Sequence, residues 1–178
     1  MSTNIGNNFP SGIFLIKDNE GIKEVRTDDY FKSKKVVLFA LPGAFTPTCS
    51  AKHLPGYIKF YQEIKDKGVD IIACMAVNDP HVMRAWGLVN EVEGKIDMLS
   101  DTDCSISEAL GLVHNFGKVM GRRSRRFAMI VEDNIIKKCF VEEVGAFEVS
   151  TAENVLKNFL LKKNVLEYLT MKFMVHHY

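Results

Sequence analysis

Between residues 41 and 50 the chain reads Leu41-Pro42-Gly43-Ala44-Phe45-Thr46-Pro47-Thr48-Cys49-Ser50, and the chemistry these side chains could do is that of a thiol. An apolar run, Val36 to Ala40, precedes them and reads as a buried strand. Apolar residues at Leu54, Tyr57, Ile58, Tyr61 and Ile64 follow at helical spacing. Cys49 therefore falls where a strand ends and a helix begins. Free N–H groups in a helix's first turn stabilise an anion, which favours thiolate, the attacking form of cysteine. Thr46 brings a hydroxyl that both donates and accepts, and Pro42 and Pro47 stiffen the loop by fixing φ. A plainer reading of the same spacing makes Cys49 an inert buried thiol and Thr46 a helix cap. His53, one helical turn beyond Cys49, admits a third arrangement, a Cys–His hydrolase, although no signature supplies the orienting third group. Arg122, Arg123, Arg125 and Arg126 form a basic cluster that is either a solvated face or an anion-binding patch.

The elements that must position these residues alternate between strand and helix. Ile13–Ile16 and Ile22–Val25 read as a hairpin about Asp18-Asn19-Glu20-Gly21. Val69–Val77 is near-continuously apolar, which suits a strand covered on both faces. Asn78-Asp79-Pro80 opens a helix through Trp86, with Pro80 in its first turn. Ile96–Ser100 reads as a short strand, and Ser105-x-x-Glu108 as the capping box of a brief helix ending near Gly111. Phe127–Val131 and Ile135–Val141 form a second hairpin about Glu132-Asp133-Asn134. Ser150-x-x-Glu153 caps a last helix carrying Val155, Leu156, Phe159, Leu160 and, further on, Leu166 and Leu169. This order predicts an α/β sandwich with a mixed sheet, in which reactive groups gather at the carboxyl ends of the strands. Cys49 lies at such an end.

With 178 residues and 47% hydrophobic content, the chain can build a substantial core, and residues 1–178 are read as one domain. A formal net charge of +1 gives no reason to expect nucleic acid or an acidic partner. No apolar run approaches the roughly 18 residues of a membrane span. The first residues lack the basic and apolar regions of a secretory signal, so a cytoplasmic protein is expected. The four cysteines, at 49, 74, 104 and 139, have neither Cys-x-x-Cys nor zinc-like spacing. Mostly reduced thiols follow as an expectation.

Pro42-x-x-x-Thr46-x-x-Cys49 matches the active-site motif of the peroxiredoxins, the cysteine-dependent peroxidases. The longer form, continuing through Lys52-His53-Leu54-Pro55-Gly56, resembles the type II or peroxiredoxin-five subfamily. Further blocks fall in the family's order: Ala76-Val77-Asn78-Asp79-Pro80, Ala85-Trp86, and Arg122 to Ala128. The resemblance covers about residues 9–161, and 162–178 reads as a helical extension beyond the family's usual end. It implies a thioredoxin-like three-layer sandwich with a mixed central sheet. It also implies a thiol peroxidase acting on hydrogen peroxide and organic hydroperoxides through a Cys49 sulfenic acid, with no metal or organic cofactor. Cys49 becomes the nucleophile, Thr46 the group orienting peroxide and sulfur, Arg126 the fixed cation, and Pro42 the shield over the site. His53 is then structural, and Arg122, Arg123 and Arg125 structural or solvent-facing. Cys74 matches the second cysteine of plant members, yet its apolar strand suggests a buried, inert thiol. Val149 falls where members with an intramolecular disulfide carry their resolving cysteine. An external thiol, glutathione with glutaredoxin or else thioredoxin, is thus expected as reductant. The family usually forms homodimers, with Phe45 and Trp86 as candidate contacts unless either is core. An alternative is a redox-sensing or chaperone-like interaction protein in which oxidation of Cys49 is the signal.

Overall fold

In the computed structural model, which describes residues 4–159, the two hairpins and the buried strands form where the apolar runs place them. Strands β1 (Ile13–Lys17) and β2 (Ile22–Arg26) lead through α1 (Thr27–Phe31) to β3 (Lys35–Ala40). A π-helical turn (Cys49–His53), α2 (Leu54–Lys59) and α3 (Tyr61–Lys65) then precede β4 (Ile71–Ala76), α4 (Pro80–Val89) and β5 (Ile96–Ser100). Next come α5 (Ser105–Ala109), β6 (Val113–Asn115), α6 (Gly117–Met120), β7 (Arg122–Ser124), β8 (Phe127–Glu132) and β9 (Ile135–Val141). Helix returns over residues 152–159. The expected extension at 162–178, with Leu166 and Leu169, lies outside the described residues.

Seven strands form one sheet in the order β2-β1-β5-β4-β3-β8-β9. The pairs β3–β4 and β4–β5 are parallel, while β1, β8 and β9 run antiparallel to their neighbours, so the sheet is mixed as expected. Alternation along the central strands sends side chains to two separate cores. Val37, Phe39, Ile72, Cys74, Ala128 and Ile130 pack under Leu54, Tyr57, Met83, Trp86 and Val155. Val36, Leu38, Ala73, Met75, Met129 and Val131 face Phe9, Phe14, Tyr30, Phe31 and Ile106 on the other side. Helix, sheet and helix make three layers. The β8–β9 turn works because Asp133 and Asn134 both take positive φ, 45° and 65°, which matches the twist of the paired strands.

Local chemistry departs from the sequence reading at three points. Ser105 is not a helix cap: Asp101 accepts from Ile106 N, Ser107 N and Ser107 Oγ, and Asp103 accepts from Ser105 N and Oγ. Two carboxylates outcompete one hydroxyl for the free donors of that turn. The last helix is capped by Thr151, which accepts from Asn154 N, because Ser150 is engaged elsewhere. The helix after Cys49 is not continuous either. It begins as a π-turn, with Leu54 N donating to Cys49 O, and breaks at Phe60, where φ and ψ are −98° and 16°. The small β6–α6–β7 unit, a two-stranded sheet around a short helix, has no counterpart in the sequence reading.

Candidate active site

β3 delivers the chain to Leu41 at the carboxyl edge of the sheet, and the loop 42–46 turns it back toward the helix layer. The turn is tight enough to force Phe45 into the left-handed region, at φ 61°, with its ring exposed. Asn78, just past β4, holds the loop by accepting from Ala44 N at 2.8 Å. Gly43 is buried there, and a Cβ on it would meet Thr46 Cγ2 at 3.3 Å and Asn78 Oδ1 at 3.4 Å. The Thr46 hydroxyl donates to Gly43 O at 2.8 Å, which fixes its orientation and leaves its lone pairs free to accept. Its backbone carbonyl takes the first helical bond, from Ser50 N at 3.0 Å. Thr46 is therefore a backbone cap whose side chain remains turned to the loop.

Cys49 follows in the first turn, its side chain almost wholly buried, at 1% exposure. Its sulfur faces Arg126, whose Nη2 donates to Sγ at 3.5 Å across 77 residues of sequence. The other guanidinium arm, Nη1, donates to His53 Nδ1 at 3.0 Å. With Nδ1 accepting, the His53 ring carries its proton on Nε2 and donates to Ser150 O at 3.2 Å. Burial, reinforced by the Arg126 charge, lowers the His53 pKa to about 3, so the ring stays neutral. A neutral imidazole with both nitrogens engaged has no place for a proton from Cys49, and the Cys–His hydrolase arrangement is excluded by this geometry. The Phe147 ring lies 5.6 Å from the Arg126 Cζ, a cation–π contact that adds to the guanidinium's confinement.

Pro42, Thr46 and Arg126 line one cavity of about 220 Å³, whose far wall includes Phe116 and Met120 from the β6–α6–β7 unit and residues 142–146 after β9. Pro42 is itself buried. The arrangement thus brings together all four residues singled out from the sequence: Pro42, Thr46 and Arg126 line the cavity, and Arg126 reaches Cys49. Of the other arginines, Arg125 also lines this cavity, and each has partners of its own. Arg122 is exposed and paired with Glu108, Arg123 Nε donates to Met120 O at 2.8 Å, and Arg125 Nη2 donates to Glu142 O at 2.6 Å.

The remaining thiols lie elsewhere. Cys74 is fully buried inside β4, and burial, with the nearby Cys49 charge, pushes its pKa well up. Burial raises the Cys104 thiol and takes Cys139 to about 11. Val149, at the position considered for a resolving cysteine, is exposed at 39%. Trp86 is core, while Phe45 is exposed with its ring 6.4 Å from that of Trp86, so of the two candidate contacts only Phe45 presents itself to solvent. Among the described residues no cluster of side chains suits a metal ion.

The family described as Redoxin matches residues 4–156 of the chain. Peroxiredoxin-2B of Arabidopsis thaliana is 41% identical over 155 residues, covering 86% of this chain and 96% of that protein. Reduced Prx3 from Vibrio vulnificus in complex with H2O2 superposes with a TM-score of 0.86 at 43% identity, covering 89% of this chain and 99% of that one. The Plasmodium falciparum antioxidant protein, described as a 1-Cys peroxiredoxin, matches with a TM-score of 0.82 at 33% identity over 91% of this chain and 99% of its own.

Proposed function

The chain belongs to the redoxin family as a type II peroxiredoxin, a thiol peroxidase of antioxidant defence, and on that premise we propose that Cys49 is the nucleophile that attacks peroxide. The contact between Arg126 Nη2 and Cys49 Sγ, at 3.5 Å, carries this reading. The guanidinium places a fixed, charged donor directly at the sulfur that reacts. The thiolate sulfur attacks the terminal oxygen of ROOH, an S–O bond forms as the O–O bond breaks, and Cys49 leaves the step as Cys–SOH. Both bonding electrons of the O–O bond depart with RO⁻, which takes a proton from solvent to give ROH, or water when R is hydrogen. Charge moves from sulfur to the leaving oxygen, and Arg126 spans both with donors already in place. Thr46 accepts from the peroxide O–H and holds its oxygen in line with the sulfur. Pro42 keeps water from the thiolate.

Recycling of the sulfenic acid is assigned to an external thiol, glutathione with glutaredoxin or else thioredoxin. Val149 in place of a loop cysteine and the confinement of Cys74 within β4 support that assignment, as does the 1-Cys description of the Plasmodium relative. The exposed Phe45, held outward by its left-handed backbone, supports a homodimer formed through the face beside the site. The test is steady-state peroxide consumption with each reductant in turn. Sustained turnover that vanishes in Cys49→Ser and persists in Cys104→Ser and Cys139→Ser is expected. One stoichiometric oxidation without turnover would instead make the protein a redox sensor, and activity retained in Cys49→Ser would remove the site assignment.

A further inference from the structure

Among the described residues, Glu142 is the one carboxylate lining the cavity that is buried, at 2% exposure, and none of the steps above uses it. A buried carboxylate is costly unless donors surround it. Here a single oxygen, Oε1, accepts from Glu148 N and Ser150 N at 2.7 Å each, and from Ser150 Oγ at 2.8 Å. These bonds close the segment 143–150 into a fixed loop over the cavity. They also fix the direction of the Ser150 carbonyl, which accepts from His53 Nε2 at 3.2 Å and from Tyr57 Oη at 2.9 Å. His53, so held, presents Nδ1 to Arg126 Nη1 at 3.0 Å. The same loop carries Phe147, whose ring lies 5.1 Å from the His53 ring and 5.6 Å from the Arg126 Cζ. A second, shorter path runs through the backbone, where Glu142 N donates to Arg126 O at 3.0 Å.

We propose that Glu142 is a positioning residue for Arg126: through Ser150, His53 and Phe147 it holds the guanidinium at the reacting sulfur. The inference rests on the reading of Arg126 as the cation of the peroxidase step. Among the described residues the Arg126 side chain meets a sulfur, a neutral imidazole nitrogen and an aromatic face, and pairs with no carboxylate. Such partners direct an arginine without neutralising it, so its charge stays available to the thiolate and the leaving oxygen. Direction then depends on whatever fixes the imidazole and the ring, and both are fixed by the loop that Glu142 closes.

The experiment is a double-mutant cycle on the rate of Cys49 oxidation by hydrogen peroxide, followed by stopped flow in the full-length reduced protein. Glu142→Ala removes the acceptor and should slow oxidation about tenfold, since a misplacement near 1 Å costs that much or more. Glu142→Gln keeps an acceptor oxygen at the same reach and should restore most of the rate. In an Arg126→Lys background Glu142→Ala should add less than a twofold loss, because the group it positions is gone. Should Glu142→Ala fail to fold, Glu142→Asp, one methylene short of its three donors, takes its place with the same expected order. A full multiplicative loss in the Arg126→Lys background, or wild-type rates in the single variants, overturns the proposal. If the unmodified protein itself is not oxidised at Cys49, the function has failed and not this inference; the wild-type trace separates the two.

Discussion

Cys49 and Cys74 are equally buried, at 1% and 0% exposure, lie in the same core and are near enough for the charge on one to raise the pKa of the other. Their surroundings differ in what the backbone does. Cys74 sits mid-strand between β3 and β5, paired in register with Phe39 and Met98, and its thiol meets apolar side chains. Cys49 sits where the chain leaves the sheet, in a widened π-turn, with a guanidinium nitrogen at its sulfur. Burial pushes the Cys74 thiol up, while Cys49 has a charged donor at its sulfur. What separates the two thiols is therefore the end of a strand and the arginine that reaches it, and not exposure.

If that arginine makes the difference, its geometry should matter more than its charge. Arg126→Lys keeps the charge but loses the planar fork that serves Cys49 and His53 at once. Oxidation of Cys49 by peroxide should slow about tenfold or more, given that one lost transition-state donor commonly costs roughly a hundredfold. Arg122→Lys, which alters only an exposed pair with Glu108, should be nearly silent. Equal losses at the two positions in stopped flow would reduce the contrast between the cysteines to diffuse electrostatics.

What the sequence could convey about this contrast follows from distance along the chain. Pro42, Thr46 and Cys49 are close neighbours, and their spacing raises thiol chemistry while leaving an inert buried thiol open. The strands at 36–40 and 96–100 and the turn at Asp133-Asn134 are equally local and form as read. Arg126 could be picked from its cluster only by family resemblance, because the fold brings it across 77 residues to Cys49. Glu142 carries no local signal, and the capping signal at Ser150 points to a role the fold does not use; what both do arises from hydrogen bonds between loops. The π-turn was likewise illegible, since apolar spacing at Leu54, Tyr57 and Ile58 is the same for either helix type. The cap at Asp101 was missed because it lies outside the turn it satisfies, whereas Ser105 stands in the expected place and is not used.

His53 gives the comparison a pH dependence. Its folded pKa, about 3, lies below the ordinary 6.5, so the unfolded chain binds the extra proton first as pH falls. The stability due to neutral His53 is thus complete above pH 6.5 and is lost progressively from there down toward pH 3. Between pH 7 and pH 5 this one residue should account for about 2 kcal/mol, read as the shift in urea unfolding free energy. His53→Gln should flatten that segment of the curve. An unchanged slope would mean that the ring is protonated in the folded protein, and then Arg126 could not be held by it as described.

The smallest effect is expected at Cys74. One equivalent of peroxide should leave a sulfenic acid at Cys49 and no intrachain disulfide, because a disulfide needs Cα atoms closer than about 7 Å with converging Cβ vectors. Cys74 is fully buried in β4, whose backbone is bonded on both sides, so a bond to Cys49 is expected to need local movement of the packed core. Its raised pKa also leaves it as thiol, which is the unreactive form toward a sulfenic acid. Cys74→Ala should therefore keep the rate of Cys49 oxidation within about twofold, while costing about 1 kcal/mol of stability from the lost buried sulfur. Intact-mass analysis with a sulfenic-acid trap distinguishes the outcomes. A single adduct at Cys49 preserves the contrast between a reactive thiol at a strand's end and an inert one in its middle. A rapid loss of two mass units, with a Cys49–Cys74 peptide after digestion, would show that β4 opens on oxidation and that Cys74 resolves the intermediate.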